Sequence, residues 1–308
     1  MLSTDGLILD YVQTEGTDMK PVDTIPKPQS PLREAVVVFF GNWAAAFGLL
    51  ILMIVIFGSI FGPAIYGVSP QETVNAPFLG PMVDSSSPLG TDYIGRDVLA
   101  GILNGGSATI MIGAAAALVA VVIGITIGSL AGYYGGLTDT LLMRFTEFFQ
   151  VLPALLFVMV LMTLFTPSIQ TTVIGIGLVM WPPTARLARA EFMRLKTMDY
   201  VRAERAMGAR DRRIIWQVIL PNAMPPLIAA AALVIGVSIL FEAGLSFLGL
   251  GDPNIRSWGE MIGSNRDYIF DSPWAVFFPG IAIFLTVLGV SLVGDGLNDA
   301  MNPRFRER

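Results

Sequence analysis

Long stretches without a charged residue constrain this chain more than any other feature. They cover residues 35–71, 98–138, 148–185, 214–241 and 272–294. About 20 apolar residues cross the hydrocarbon core of a bilayer, so each stretch is long enough for at least one crossing. Only 14% of the residues are charged, against about a quarter in a soluble domain. The chain is therefore predicted to be an all-α polytopic membrane protein.

Six membrane helices are predicted. As one helix, the third stretch would be about 57 Å long, which is too long for a single crossing. Residues 166–168 read Thr-Pro-Ser and divide it in two, while Pro182 and Pro183 are expected to kink the second of these helices. The predicted helices lie near 36–61, 104–132, 138–165, 170–190, 223–250 and 274–297.

The distribution of basic residues predicts the orientation. With both termini in the cytoplasm, sixteen of the 19 Lys and Arg fall inside, and nine of these lie between Arg186 and Arg213. Only Arg96, Arg256 and Arg266 then lie outside. Cytoplasmic loops carry an excess of Lys and Arg, so an N-in, C-in topology is predicted.

The same topology divides the chain into segments. Residues 1–34 are predicted to be a mostly disordered cytoplasmic tail, 35–300 the membrane domain and 301–308 a cytoplasmic C-terminal tail. The membrane domain contains a cytoplasmic loop at about 190–222 and outside segments at about 62–103 and 251–273. Short surface helices are expected in the outside segments, at 96–103 and 257–265.

Composition excludes several kinds of chemistry. The chain has no Cys and no His, so thiolate or imidazole metal sites and Ser-His or Cys-His catalysis are not expected. A net charge of −5 argues against nucleic acid as a partner. A P-loop needs Lys directly after Gly, but Lys20, Lys27 and Lys196 follow Met, Pro and Leu. We expect no catalytic residue, metal or cofactor in this chain, so any ATP must be bound by another polypeptide.

The cytoplasmic loop predicts a small helical module. Asp199 is placed to cap a short helix, and Gly208 suits the position just after its end, where positive φ is common. Tyr200, Ala203 and Met207 share one apolar face. An ordinary positive-inside loop would also be basic, but this face favours binding to a cytoplasmic partner.

A second helix is expected to follow Gly208. Asp211 is placed to cap it, and Pro221 marks where it bends into the membrane. The segment resembles the EAA loop of inner-membrane permease subunits of ABC importers, whose pattern is E-A-A, three residues, Gly, nine residues, I-x-L-P. Gly208 and residues 218–221, Val-Ile-Leu-Pro, match in register, whereas residues 202–204 read Arg-Ala-Glu and keep only the central Ala.

The resemblance extends from about residue 40 to Arg304. Residues 87–97 and 242–251 read Ser-Pro-Leu-Gly-Thr-Asp-Tyr-Ile-Gly-Arg-Asp and Glu-Ala-Gly-Leu-Ser-Phe-Leu-Gly-Leu-Gly. Both are similar to motifs of the dipeptide, oligopeptide and nickel permeases, and Ser257-Trp258-Gly259 and residues 294–300 also fit. The chain is identified as resembling the "C" permease of such a pair. A type I ABC importer permease fold is implied.

The resemblance also implies partners and a mechanism. A second homologous permease would complete the pathway, two cytoplasmic ATPases would bind ATP and Mg, and an external binding protein would deliver peptides at the bacterial inner membrane. The residues implied in ATPase coupling are Tyr200, Arg202, Ala203, Glu204, Ala206, Met207, Gly208, Leu220 and Pro221. Two alternatives are an ion-coupled secondary transporter acting without ATPases and a membrane scaffold that transports nothing.

Charged residues elsewhere have two interpretations each. Glu242 lies in an otherwise apolar span, where a carboxylate is either a pathway group or a structural one, and we favour the structural role. Asp92, Arg96 and Asp97 either dock the binding protein or hold their segment together by capping and ion pairs, and we favour the second.

Two further patterns predict local contacts within the membrane domain. Arg144 and Glu147 have the spacing of a local ion pair on one helix. Gly124, Gly128 and Gly132 are four residues apart and predict close helix packing.

Overall fold

The computed structural model describes residues 31–301, and this part of the chain is helical, with no regular strand. The predicted tails therefore lie almost wholly outside the described residues. The helices are α1 (Pro31–Gly41), α2 (Trp43–Tyr66), α3 (Val98–Tyr134), α4 (Gly136–Val151), α5 (Ala154–Leu164), α6 (Ile169–Leu195), α7 (Asp199–Ala206), α8 (Asp211–Phe247), α9 (Trp258–Asn265) and α10 (Trp274–Met301).

Four of these helices, α2, α3, α8 and α10, are long and apolar enough to cross a membrane. The bent pair α4 and α5 adds a fifth candidate if the two count as one span. The all-α, multi-pass architecture is thus confirmed. The predicted fourth crossing corresponds to α6, which is not among these candidates and whose C-terminal part carries Arg186, Arg189, Glu191 and Arg194.

The first predicted helix, 36–61, is divided at Asn42. The Asn42 carboxamide accepts hydrogen bonds from the backbone N–H groups of Ala44 and Ala45, at 3.1 and 3.3 Å, and so caps α2. Helix α1 begins at Pro31, inside the segment predicted to be tail. Asn is a strong N-cap residue, so one polar side chain within the apolar stretch ends one helix and starts the next.

The third predicted helix, 138–165, is also two helices, because α4 and α5 meet at an angle of 83°. The reason is Pro153. It has no backbone N–H, and its ring forces the preceding residue away from helical geometry; Leu152 accordingly has an extended backbone with ψ 130°.

The surface helix predicted at 96–103 is wrong as a separate element. Helix α3 runs for 37 residues from Val98 to Tyr134 and absorbs it, together with the predicted helix 104–132. Gly101 and Gly105 lie within this helix beside Arg256, and Gly105 and Gly106 lie beside Trp258. The predicted helix at 257–265 is present as α9, and Ser257 caps it by accepting a hydrogen bond from Glu260 N.

Helix α3 lies at the centre of the bundle, packed against α2, α6 and α8. Its contact with α6 is made by Gly124, Gly128 and Gly132, as predicted. A Cβ added at any of these positions would come within 3 Å of α6 atoms, for example 2.7 Å from Ala188 Cβ at Gly128. In a bilayer, where lipid is as apolar as a side chain, such small residues let two helices associate by close backbone packing.

Candidate functional site

The 199–222 segment begins with the eight-residue helix α7. The residue that precedes it is Met198, which provides no side-chain cap. Asp199 is the first helical residue and not the predicted cap. Its carboxylate lies 3.6 Å from Arg202, and both side chains are exposed. An acidic residue in the first turn still interacts favourably with the positive end of the helix dipole.

Gly208 ends this helix as predicted. Its φ is +80°, and its N–H donates to Arg205 O at 3.0 Å while Ala209 N donates to Glu204 O at 3.1 Å. These two bonds form a Schellman motif, in which glycine avoids the strain that a Cβ brings to the left-handed region. An added Cβ would meet no atom within 4 Å, so the need for glycine here is conformational.

Most of α7 faces away from the rest of the chain. Tyr200, Ala203 and Met207 are exposed, Met207 to 74%, and Arg202 and Ala206 are exposed beside them. The predicted apolar face is therefore not covered by the rest of residues 31–301. Glu204 is half-buried, and its carboxylate lies 3.7 Å from Arg213.

Val201 attaches α7 to the bundle. It is buried in an apolar cluster with Ile214, Ile215 and Ile219 of α8 and with Phe192 of α6. The short helix is thus held by one side while its other faces remain accessible.

Helix α8 starts differently from the prediction. Its N-cap is Arg210, and Asp211 is the first helical residue. The Asp211 carboxylate accepts a hydrogen bond from the Tyr133 hydroxyl and does not cap the helix. Residues Ile214–Ile219 form a π-helical segment in which Leu220 N donates to Ile215 O. Leu220 packs on the apolar cluster and Pro221 is exposed. The wider π turn precedes Pro221, which cannot donate a backbone hydrogen bond.

Four polar groups, here called the α3 anchor, join the 199–222 segment to the last turn of α3: Tyr133, Lys196, Arg205 and Asp211. The Tyr133 hydroxyl donates to Asp211 Oδ1 at 2.6 Å and accepts from Arg205 Nη2 at 3.3 Å. The Lys196 ammonium donates to the backbone oxygen of Gly132 at 2.7 Å. Sequence reasoning counted Lys196 and Arg205 only as orientation charges and missed Tyr133.

A second polar cluster lies at the other end of α3. Asp92 is fully buried, and its carboxylate accepts hydrogen bonds from Ile94 N at 3.0 Å, Arg96 N at 2.9 Å, Arg96 Nε at 2.8 Å and Arg256 Nη2 at 3.0 Å. Arg256 also donates to Pro70 O at 2.8 Å. We call Asp92, Arg96 and Arg256 the Asp92 cluster. It ties the segment before α3 to the segment before α9.

The charges in the Asp92 cluster shift its pKa values. Burial alone would raise the pKa of Asp92, but the backbone hydrogen bond from Arg96 and the positive charges of Arg256 and Arg96 hold that pKa below its usual value. Burial lowers the pKa of Arg256, assisted by the charge of Arg96, although Asp92 and Glu260 oppose this. The cluster is a buried ion network that is stable only while its partners remain together.

Asp97 has the capping role that the sequence favoured. Its carboxylate accepts Ala100 N at 2.7 Å, which caps α3, and the Tyr66 hydroxyl at 2.8 Å, which ties in α2. Asp92 and Asp97 are buried within this chain, and Arg96 is largely buried. Docking of a binding protein by these three residues stays a prediction.

Glu242 lies near the end of α8 and is only 1% exposed. Its Oε1 accepts a hydrogen bond from Ser246 Oγ at 2.8 Å, and its Oε2 has no partner within residues 31–301. Ser257 and Thr172 line the same small cavity, which places Glu242 at a junction of α6, α8 and the start of α9. Whether Glu242 has a pathway role or a structural role remains a prediction.

Two further ion pairs lie on α4. Arg144 and Glu147 form the predicted pair at 3.0 Å, and both are exposed. Asp139 accepts two hydrogen bonds from the Arg189 guanidinium and so joins α4 to α6, a contact that sequence reasoning missed. No group of three acidic side chains that could hold a metal ion occurs in the described part of the chain.

Comparison with known families identifies the class of this chain. Residues 124–307 match the family described as "Binding-protein-dependent transport system inner membrane component", so the chain belongs to this family. Residues 30–81 match the "N-terminal TM domain of oligopeptide transport permease C". Both matches confirm the resemblance inferred from the motifs.

Curated relatives align with this chain over most of their length. The "Di/tripeptide transport system permease protein DppC" of Pseudomonas aeruginosa is 37% identical over 283 residues, which cover 90% of this chain and 93% of that protein. The "Oligopeptide transport system permease protein OppC" of Bacillus subtilis is 35% identical, over 91% of this chain and 92% of that protein.

A solved structure supports the fold. A chain from "Inward facing conformations of the MetNI methionine ABC transporter" superposes with a TM-score of 0.56 at 18% identity, covering 66% of this chain and 97% of that chain. The core of the bundle therefore has the fold of an ABC importer permease.

Proposed function

We propose that this chain is one permease subunit of an ATP-driven importer of di- or oligopeptides. It forms half of the pathway, and a second homologous permease forms the other half. Two cytoplasmic ATPases, which bind ATP and Mg, move the 199–222 segment, while an external binding protein delivers the peptide. The names of the relatives support the substrate class, and the family supports the set of partners.

The topology that we propose has six crossings, with both termini in the cytoplasm. Helices α2, α3, α8 and α10 each cross once, α4 with α5 forms a bent crossing, and α6 forms the remaining one. The nine basic residues between Arg186 and Arg213 support a cytoplasmic position for α7, where the ATPases would lie.

One observation carries the coupling role. Helix α7 is held through the buried Val201, while its apolar face of Tyr200, Ala203 and Met207 is not covered by other described residues. An amphipathic helix with an uncovered apolar face is suited to fill a groove on a partner. The Schellman motif at Gly208 fixes the angle at which this helix is presented.

Substitution of Gly208 tests the coupling role. Valine at φ +80° is strained, whereas asparagine tolerates the left-handed region. We expect Gly208→Val to insert in the membrane but to lose peptide uptake per ATP hydrolysed, or to lose the ATPases on purification, while Gly208→Asn retains both. Normal uptake by the Val variant would contradict a coupling role for this segment.

Cysteine labelling tests the topology, because the chain contains no native Cys. Thr197, beside α7, is exposed, and Phe270, at the opposite end of the bundle, is 97% exposed. In intact cells, a membrane-impermeant maleimide should label Phe270→Cys and should label Thr197→Cys only after lysis. The reverse pattern would refute the proposed orientation and, with it, cytoplasmic coupling.

A further inference from the structure

On the basis of the function proposed above, we propose that Tyr133 is a positioning residue that passes movement of α7 to α3. Through α3, the nucleotide state of the ATPases would reach the Asp92 cluster at the far end of the bundle. This link would join the two ends of the bundle and is distinct from the contact of α7 with an ATPase.

The contacts of the α3 anchor bracket α7 along the chain. Lys196 precedes α7, Arg205 lies in its last turn and Asp211 follows it. All three bind the last turn of α3, at Gly132 O and at the Tyr133 hydroxyl. Helix α7 therefore cannot shift without moving the end of α3 or breaking these bonds.

The chemistry of the anchor makes Tyr133 its central member. Its hydroxyl donates to a carboxylate and accepts from a guanidinium, and hydrogen bonds to charged groups are about twice as strong as neutral ones. Its ring is 6% exposed and packs in the same apolar cluster as Val201 and Ile214. The Arg205 guanidinium also lies over this ring, 5.7 Å from the centroid. One side chain thus contacts both α7, through Arg205, and α8, through Asp211.

Lys196 reinforces the same end of α3. The last carbonyl oxygens of a helix have no intrahelical partner and carry the negative end of the dipole. The ammonium group of Lys196 satisfies Gly132 O at 2.7 Å and approaches Tyr133 O at 3.4 Å. The C-terminus of α3 is therefore fixed to the turn before α7 independently of the Tyr133 hydroxyl.

Helix α3 is suited to transmit the movement. It is a single helix of 37 residues, about 55 Å long at the usual rise. Its glycines pack on the backbone of α6, which stiffens the pair. At the far end, Asp97 caps α3 and Val98 N donates to Gly90 O at 3.1 Å, within the segment that carries Asp92. Displacement at Tyr133 therefore reaches this segment through one continuous element.

The experiment compares Tyr133→Phe with Tyr134→Phe in the complete transporter, with partner subunits free of reactive cysteines. Tyr134 is the adjacent residue on α3, is exposed, and has no hydrogen bond from its hydroxyl within residues 31–301. Each variant carries an environment-sensitive fluorophore either near α7, at Thr197→Cys, or at the far end, at Phe270→Cys. The signal is the change on trapping the ATPases with ATP and vanadate.

We expect Tyr133→Phe to keep the nucleotide response at the near label and to reduce the response at the far label about fivefold or more, the lower end of typical coupling between sites. Tyr134→Phe should retain both responses. Equal far-label responses in the two variants would overturn the proposal. A purely structural role for Tyr133 would weaken the nucleotide response at both labels together, and that result would also overturn the proposal.

A second variant covers failure of Tyr133→Phe to assemble. Asp211→Asn keeps the tyrosine but removes the charged acceptor, so it should also weaken the far response selectively. The double variant should be no worse than Tyr133→Phe alone, because both substitutions act on the same bond. Additive losses would contradict a shared link. If the wild-type complex contains no ATPase, or shows no nucleotide response at either label, it is the proposed function that fails.

Discussion

Replacing Asp92 with Asn tests how much the buried ion network stabilises the far end of the bundle. The substitution keeps the shape of the side chain but removes the counter-charge of Arg256, whose side chain is 4% exposed. Two guanidinium donors, from Arg96 and Arg256, then share one neutral carboxamide. Apart from that carboxamide, Arg256 keeps only the Pro70 carbonyl as an acceptor among the described residues, where its Nε already has no partner.

The expected loss is about 3–5 kcal/mol of unfolding free energy, the typical cost of removing one partner of a buried ion pair. For a chain of this size, the apparent melting temperature should fall on the order of 10 °C. The assay is thermal unfolding of the purified chain in one fixed detergent, together with limited proteolysis, in which the 67–97 segment should become the first site of cleavage.

Asp267→Asn is the matched control. Asp267 pairs with Arg266 at 3.5 Å, but both side chains are exposed, and surface pairs contribute about 0–1 kcal/mol. A double variant, Asp92→Asn with Arg256→Met, should recover part of the loss because it removes the isolated charge. The reasoning is refuted if Asp92→Asn melts within about 2 °C of Asp267→Asn, or if the double variant is no more stable than Asp92→Asn.

The remaining predictions concern acid and packing. The pKa of Asp92 is lowered in the folded chain, so the stability that its carboxylate contributes is present above the unfolded pKa of about 3.9 and is lost as the pH falls through the folded pKa. Below about pH 4, the melting temperature should therefore fall more steeply for the wild type than for Asp92→Asn. Parallel curves of melting temperature against pH would exclude this contribution. Gly128→Ala should destabilise the chain by about 1–3 kcal/mol through overpacking on α6. The control Gly280→Ala has open space around its added Cβ and should be neutral or slightly stabilising in the same thermal unfolding assay. Equal melting temperatures for the two variants would show that the α3–α6 contact is loose.

The membrane helices were largely predictable because bilayer thickness fixes the length of an apolar crossing. The prediction failed where local chemistry interrupts an apolar stretch. Asn42 and Pro153 are single residues within otherwise apolar sequence, and each ends a helix by capping or by the loss of a backbone donor. The boundary predicted between residues 103 and 104 was wrong in the other direction, because α3 runs through it without interruption.

In the candidate site, too, local features were predictable from the sequence and long-range contacts were not. Gly208 was predictable because its role depends on neighbouring residues alone, and both Schellman bonds join residues within its own turn. The bonds from Tyr133 to Asp211 and from Arg256 to Asp92 join residues 78 and 164 positions apart. A single sequence gives no signal for such distant pairs. The excess of basic residues beside α7 and the few charges at the far end indicated only the regions in which they lie.

The polar contacts and the glycine contacts of α3 have complementary effects. Between its ends, α3 meets α6 through small residues whose close approach allows little relative movement of the two backbones. At each end, charged groups hold α3 to a segment that continues outside the helix, through Tyr133 at one end and Asp97 at the other. Separating the closely packed backbones within the span would leave their contacts unreplaced, because the bilayer core contains no water. Movement of α7 is therefore expected to displace α3 and α6 together.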